Sequence, residues 1–146
     1  MKILILGNGR HGKDTMAEIL RDNFNIKFKS SSQAASDIFI YDELSEKYGY
    51  RTPSECFEDR VNHRQEWYDM ICDYNKDDRA RLAKDILKDV DCYVGMRDVG
   101  EFNECVKQGI FDIIIWVDAS KRLPLETGSF NIDMSQADII VSNNTT

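Results

Sequence analysis

Apolar residues gather in five short runs, at Ile3–Leu6, 26–29, 91–96, 112–117 and 138–141. The first, fourth and fifth are almost unbroken Ile, Leu and Val. That pattern fits strands covered on both faces, as in a parallel sheet. Helical spacing fills the gaps. Met16, Ile19, Leu20 and Phe24 form one stripe after the first run. Thr52-Pro53-Ser54-Glu55 reads as an N-cap, a first-turn proline and a capping-box acid, opening a long helix over 52–74. Its core face is Phe57, Val61, Tyr68 and Cys72. A helix starting near 76–78 buries Leu82, Ala83, Ile86 and Leu87, and one over 99–108 buries Phe102, Cys105 and Val106. Residues 30–52 are less regular, and 118–134 reads as a loop. Strands alternating with helices predict an α/β fold with a parallel sheet and ligands at the strands' carboxyl ends.

The chain has 146 residues, the size of a single domain over 1–146. Nineteen basic against 26 acidic residues give a net charge of -7, which argues against general nucleic-acid binding. No apolar run is long enough to cross a bilayer, and none has the form of an export signal. Cys56, Cys72, Cys92 and Cys105 contain no CxxC pair. They read as reduced thiols in a cytoplasmic protein. The oligomeric state is left open, a homodimer included.

One stretch carries chemistry. Gly7-Asn8-Gly9-Arg10-His11-Gly12-Lys13-Asp14-Thr15 fits G-x-x-x-x-G-K between a strand and a helix. Glycines let successive amides turn inward, and the helix start adds positive potential. Asn8 to Thr15 are therefore candidate ATP phosphate-binding residues, with the Lys13 ammonium for the β- and γ-phosphates. Asp14 and Thr15 are candidate Mg²⁺ holders, directly or through water. His11 reads as a packing residue of the loop, without a catalytic role. Asp118, at a strand end, could reach Mg²⁺ through water.

Gly-Lys-Asp-Thr after Arg-His resembles the phosphate loop of bacteriophage-type deoxynucleoside monophosphate kinases, in the P-loop nucleoside monophosphate kinase superfamily. The order of elements is similar too. The resemblance implies a three-layer P-loop kinase fold with a mainly parallel five-stranded sheet and a short lid. Tyr93-Val94-Gly95-Met96-Arg97-Asp98 resembles the superfamily's third-strand motif, with Met96 where proline is common. Arg97 would then grip the acceptor nucleotide. Asp138-Ile139-Ile140-Val141-Ser142-Asn143 resembles the closing Asp-x-x-x-x-Asn pattern. Implied cofactors are ATP and Mg²⁺, and the implied partner is a nucleoside monophosphate.

Phosphoryl transfer needs further cations beyond the loop. On a continuous helix at 100° per residue, Arg60, His63, Arg64 and Trp67 share about a 100° arc. Arg60 and Arg64 suit an acceptor phosphate and Trp67 a base, within an acceptor segment at about 30–75. Lys121 and Arg122 are the lid cations. Lys13, Arg97 and Arg122 are the candidate catalytic residues. Three functions fit: ATP-dependent phosphorylation of a (deoxy)nucleoside monophosphate, transfer to a hydroxyl of a modified pyrimidine, free or in DNA, and nucleotide-binding regulation without catalysis. A hydroxyl acceptor calls for a carboxylate base, for which Asp37, Asp42 and Glu43 are the candidates.

Overall fold

The protein is described by a computed structural model covering residues 1–125 and 132–144. Five strands, β1 (Ile3–Leu6), β2 (Phe28–Ser30), β3 (Cys92–Val94), β4 (Ile113–Asp118) and β5 (Ile139–Ser142), form one sheet in the order β2-β3-β1-β4-β5. Every pairing is parallel. The fold is therefore α/β with an all-parallel sheet.

Alternation along the central strands explains why their sequences look uniformly apolar. In β1, Leu4 and Leu6 join one core with Tyr93, Ile114 and Trp116, while Ile3 and Ile5 join another with Cys92, Val94, Ile115 and Val117. Side chains leave a strand on opposite faces in turn, so both faces must be apolar when both are covered. Helix α1 (Lys13–Phe24) packs Ala17, Met16 and Leu20 on the second face. The predicted Ile19 and Phe24 instead point to solvent, Phe24 at 68% exposure. The contact stripe of α1 is narrower than the apolar one.

The other face is covered mainly by α2 (Ser31–Ala35), α3 (Tyr41–Tyr48), α4 (Pro53–Glu58), α5 (Arg64–Tyr74), α6 (Arg81–Asp89) and α7 (Val99–Lys107). Leu82, Ala83, Ile86 and Leu87 of α6 are buried as predicted, as are Phe102 and Cys105 of α7; Val106 is exposed. Residues 30–52, expected to be irregular, are largely helical. Ser30 caps α2 by accepting from the Gln33 amide, and a π turn over Ser36–Ile40 runs straight into α3.

The helix expected over 52–74 is in two pieces. Thr52 caps α4 as predicted, accepting from the Glu55 amide at 3.2 Å, but the Glu55 carboxylate reaches the Arg51 amide rather than that of Thr52. A 3₁₀ turn over Asp59–Asn62 follows, and His63 leaves helical geometry at φ -134° before α5 begins. The arc of an unbroken helix does not hold. Val61 and Cys72, expected in the core, are exposed. Strand β5 is also less covered than its sequence implies, with Ile139 at 47% and Ile140 at 52% exposure on the sheet's edge.

All four cysteines are free thiols. Among the described residues no helix is long and apolar enough to cross a membrane.

Candidate active site

The chain leaving β1 travels to β2 on one side of the sheet, and the chain leaving β4 travels to β5 on the other. The carboxyl ends of β1 and β4 therefore flank a topological switch point, where open α/β sheets bind ligands. Residues 7–12 turn there. Gly7 adopts φ +154°, and a Cβ on it would stand 2.6 Å from the Val117 carbonyl oxygen. Gly12 adopts φ +103°, and its Cβ would meet the Asn143 side-chain amide at 2.7 Å. Both positions exclude side chains. Arg10 is left-handed at φ +66°, an unfavourable conformation for a residue with a Cβ.

Gly12 brings no side chain to cap α1, so the amides of Asp14 and Thr15 stand uncapped by a side chain at the helix start. Lys13 turns its ammonium back over the loop and donates to the carbonyls of Gly7 at 2.8 Å and Asn8 at 3.2 Å. Asp14 and Thr15 are exposed in the first turn.

His11 is fully buried. Its Nδ1 accepts from the Ala119 amide at 3.1 Å, which leaves Nε2 to donate to the Pro124 carbonyl at 3.0 Å. The Asn143 side chain donates to the His11 carbonyl at 3.0 Å, and the Asn143 amide to the Asp118 carbonyl at 2.6 Å. At the other end of that closing pattern, Asp138 accepts from the Ile114 amide at 2.8 Å. Asp118 accepts from the Ser120 amide, its main partner, and from Asn144; these bonds hold its carboxyl below the usual range.

A cavity of about 670 Å³ opens past the carboxyl ends of β2 and β3, where Ser31, Gly95 and Arg97 line it. Arg60, Arg64, Trp67 and Arg97 all line it. Three separate pieces of chain deliver them: the 3₁₀ turn, α5 and the segment after β3. Arg60 is half-buried, its Nη1 donating to the Phe57 carbonyl at 2.8 Å and its guanidinium lying 3.7 Å from the centre of the Phe57 ring. Burial lowers its pKa, with the neighbouring Arg64 charge acting the same way; Asp14 acts in the opposite sense. Arg60 thus feels both the second arginine and the first turn of α1. No described carboxylate forms an ion pair with Arg60 or Arg64.

Trp67 is foremost a core residue, 4% exposed, with its ring edge-on to Phe57. His63 turns away from the arginines, stacks on Tyr48 and binds Asp59 at 3.1 Å. Lys121 and Arg122 are exposed and do not line the cavity; the Arg122 side chain donates to the Asn143 carbonyl at 2.6 Å. Part of the predicted lid, 126–131, lies outside the described residues. Asp37, Asp42 and Glu43 do not line the cavity either, and Asp37 pairs with Lys29 at 3.2 Å.

Sequence patterns do not point to several residues of this cavity. Lys76 and Arg79 add two cations, and Asp98 and Glu101 supply its carboxyls. Asp98-x-x-Glu101 has the spacing of a capping box. Asp98 does cap α7, accepting from the Glu101 amide at 3.0 Å. The Glu101 side chain instead turns inward to Tyr93 and Asn75, a contact no local pattern announces. Burial, foremost, raises its pKa from 4.5 to about 7.

No family model matches the sequence, and no curated protein matches it. Among solved structures the chain is similar to the crystal structure of shikimate kinase from Aquifex aeolicus, at 13% identity and a TM-score of 0.49, over 100% of this chain and 89% of that chain. So distant a likeness transfers no chemistry.

Two outcomes follow from these contacts. His11→Ala strands a buried amide and a carbonyl, each costing about 1–3 kcal/mol, so the urea midpoint drops and loop amides gain hydrogen-exchange rate. An unchanged midpoint would contradict the bridging role. The second concerns pH. Between 4.5 and about 7 the folded chain keeps a proton on Glu101 that the unfolded chain has released. This group's contribution to stability therefore falls as pH rises through that window, by about 3 kcal/mol. Denaturation of the Glu101→Gln protein across the same window shows a correspondingly flatter pH dependence.

Proposed function

We propose that the protein is a phosphotransferase that moves the γ-phosphoryl group of ATP to a nucleoside monophosphate. The observation that supports this reading is that an arginine-lined cavity feels the charge at the start of the helix that follows the glycine loop. The glycine loop with Lys13 opens at the start of α1, and Arg60, Arg64 and Arg97 line a cavity whose nearest arginine senses Asp14. A donor phosphate chain on the loop and an acceptor phosphate on the arginines would meet end to end, as in-line transfer requires.

The residues fit their assigned groups. The loop excludes side chains at Gly7 and Gly12, leaving room for backbone amides to approach phosphate oxygens. Lys13 brings a positive charge held on two loop carbonyls. Guanidinium forks match the oxygens of an acceptor phosphate. Asp14 and Thr15 offer oxygens for Mg²⁺ from the first turn, with no cluster of three or more acidic, His or Cys ligands among the described residues. Such a site leaves most metal ligands to phosphate and water, and the metal supplies charge neutralisation. A monophosphate acceptor is already ionised at neutral pH, so no general base is required. That matches a cavity whose carboxyls are engaged with protein donors.

A coupled ADP-release assay with nucleoside monophosphates and hydroxyl acceptors tests the reading. Turnover appears with monophosphates, stops in EDTA and returns with Mg²⁺. Lys13→Ala loses on the order of 10²–10³-fold in kcat. Arg60→Ala and Arg64→Ala each raise the monophosphate KM by about 10–100-fold and leave that for ATP nearly unchanged. Nucleotide binding without turnover would make the protein a regulator. Turnover confined to hydroxyl acceptors would move the arginines to another role.

A further inference from the structure

One buried cluster of the cavity is not used by the transfer chemistry. Glu101 is 5% exposed and lines the cavity. The Tyr93 hydroxyl donates to its Oε1 at 2.6 Å, and the Asn75 amide nitrogen to its Oε2 at 2.8 Å. Asn75 cannot reverse its amide, because its oxygen accepts from the Leu82 backbone amide at 3.0 Å. No described cation pairs with Glu101.

Folding alone gives no reason for a carboxyl here, since an amide or an apolar group would avoid the desolvation cost. Above about pH 7, where Glu101 is ionised, each carboxylate oxygen accepts two hydrogen bonds and receives one protein side-chain donor. The cluster therefore turns hydrogen-bond acceptors toward the cavity.

Its place is also informative. Arg64, Tyr68, Ile71 and Asn75 line the cavity in one stripe along α5 and its C-terminal cap. At a rise of about 1.5 Å per residue, Asn75 lies about 16 Å along the axis from Arg64. Arg60, which feels the charge of Asp14, sets the Arg60 and Arg64 end toward the first turn of α1. The Glu101 cluster marks the opposite end, where a nucleotide with its phosphate on the arginines carries its base.

We propose that Glu101, held by Tyr93 and Asn75, reads the acceptor's base and selects bases with an exocyclic amino group over thymine and uracil. This rests on the acceptor reading above. An amino group offers N–H donors to the waiting oxygens. Thymine and uracil flank their single ring N–H with carbonyl oxygens, which would oppose the Glu101 oxygens and leave buried acceptors facing each other. A site built on such a pairing discriminates far more sharply than an apolar slot.

The test measures, at pH 8 where Glu101 is ionised, calorimetric binding and steady-state turnover of dGMP, dCMP, dAMP, dTMP and dUMP on the full chain, as wild type and as Glu101→Gln, with a melting curve for each. At least one amino-bearing monophosphate binds and turns over 10-fold or more better than dTMP and dUMP. Glu101→Gln, which puts an N–H₂ where an acceptor stood, narrows that ratio by 10-fold or more. Thymine or uracil as the best base overturns the proposal while leaving the kinase reading intact, and so does a folded Glu101→Gln with an unchanged ranking. Binding with the expected ranking but no turnover keeps the base reading and removes the kinase one. No binding of any monophosphate removes both. The wild-type ranking needs no variant, so a Glu101→Gln protein that does not fold leaves the test decisive.

Discussion

A buried imidazole holds the glycine loop after β1 in place. His11 accepts from the amide that follows β4 and donates to a carbonyl five residues further on, while its own carbonyl takes a hydrogen bond from Asn143 after β5. One residue of the loop is thus fastened to two other strand ends. A glycine loop is entropically costly to order, and amides aimed at a phosphate help only if they are already aimed when it arrives. The order of this loop comes from the contacts of His11 and Asn143 with the segments after β4 and β5. Asn143 serves twice, since its amide also sits where a Cβ on Gly12 would be.

This explains what the sequence could and could not reveal. The parallel sheet is legible because strands covered on both faces must be apolar at consecutive positions, as 3–6 and 113–117 are. The loop is legible because its glycines answer to local constraints. His11 reads correctly as a packing residue. That it spans from the loop to Ala119 and Pro124 has no sequence periodicity, because its partners are backbone groups more than a hundred residues away. Glu101 is hidden differently. Its spacing from Asp98 satisfies a capping rule, and its side chain ignores that rule for partners on β3 and at the end of α5.

The broken helix shows a correct grouping reached through incorrect geometry. An unbroken 100° step brings Arg60, Arg64 and Trp67 together. In the fold, a 3₁₀ turn and the non-helical His63 intervene, and the three residues still line one cavity. The break has its own local chemistry: Asp59 receives the Tyr50 hydroxyl, the Asn62 amide and the His63 ring. These contacts draw His63 away from the cavity and leave Arg60 folded over Phe57. A continuous helix would have carried His63 among the arginines, adding a titratable ring to a group of permanent charges.

That permanent charge sits against the character of the whole chain. A protein of net charge -7 lines one cavity with Arg60, Arg64, Lys76, Arg79 and Arg97 against only Asp98 and Glu101. Burial, foremost, lowers the pKa of Arg60, and the neighbouring Arg64 charge adds to it. An anion placed between Arg60 and Arg64 would offset both effects, by supplying a counter-charge where water is excluded. Asp14 acts in the same sense. Arg60 is thus the residue through which the cavity and the first turn of α1 feel each other's charge. With a net charge of -7 on the whole chain, such a local group of cations would suit a small anion inside the cavity better than an extended polyanion along the surface.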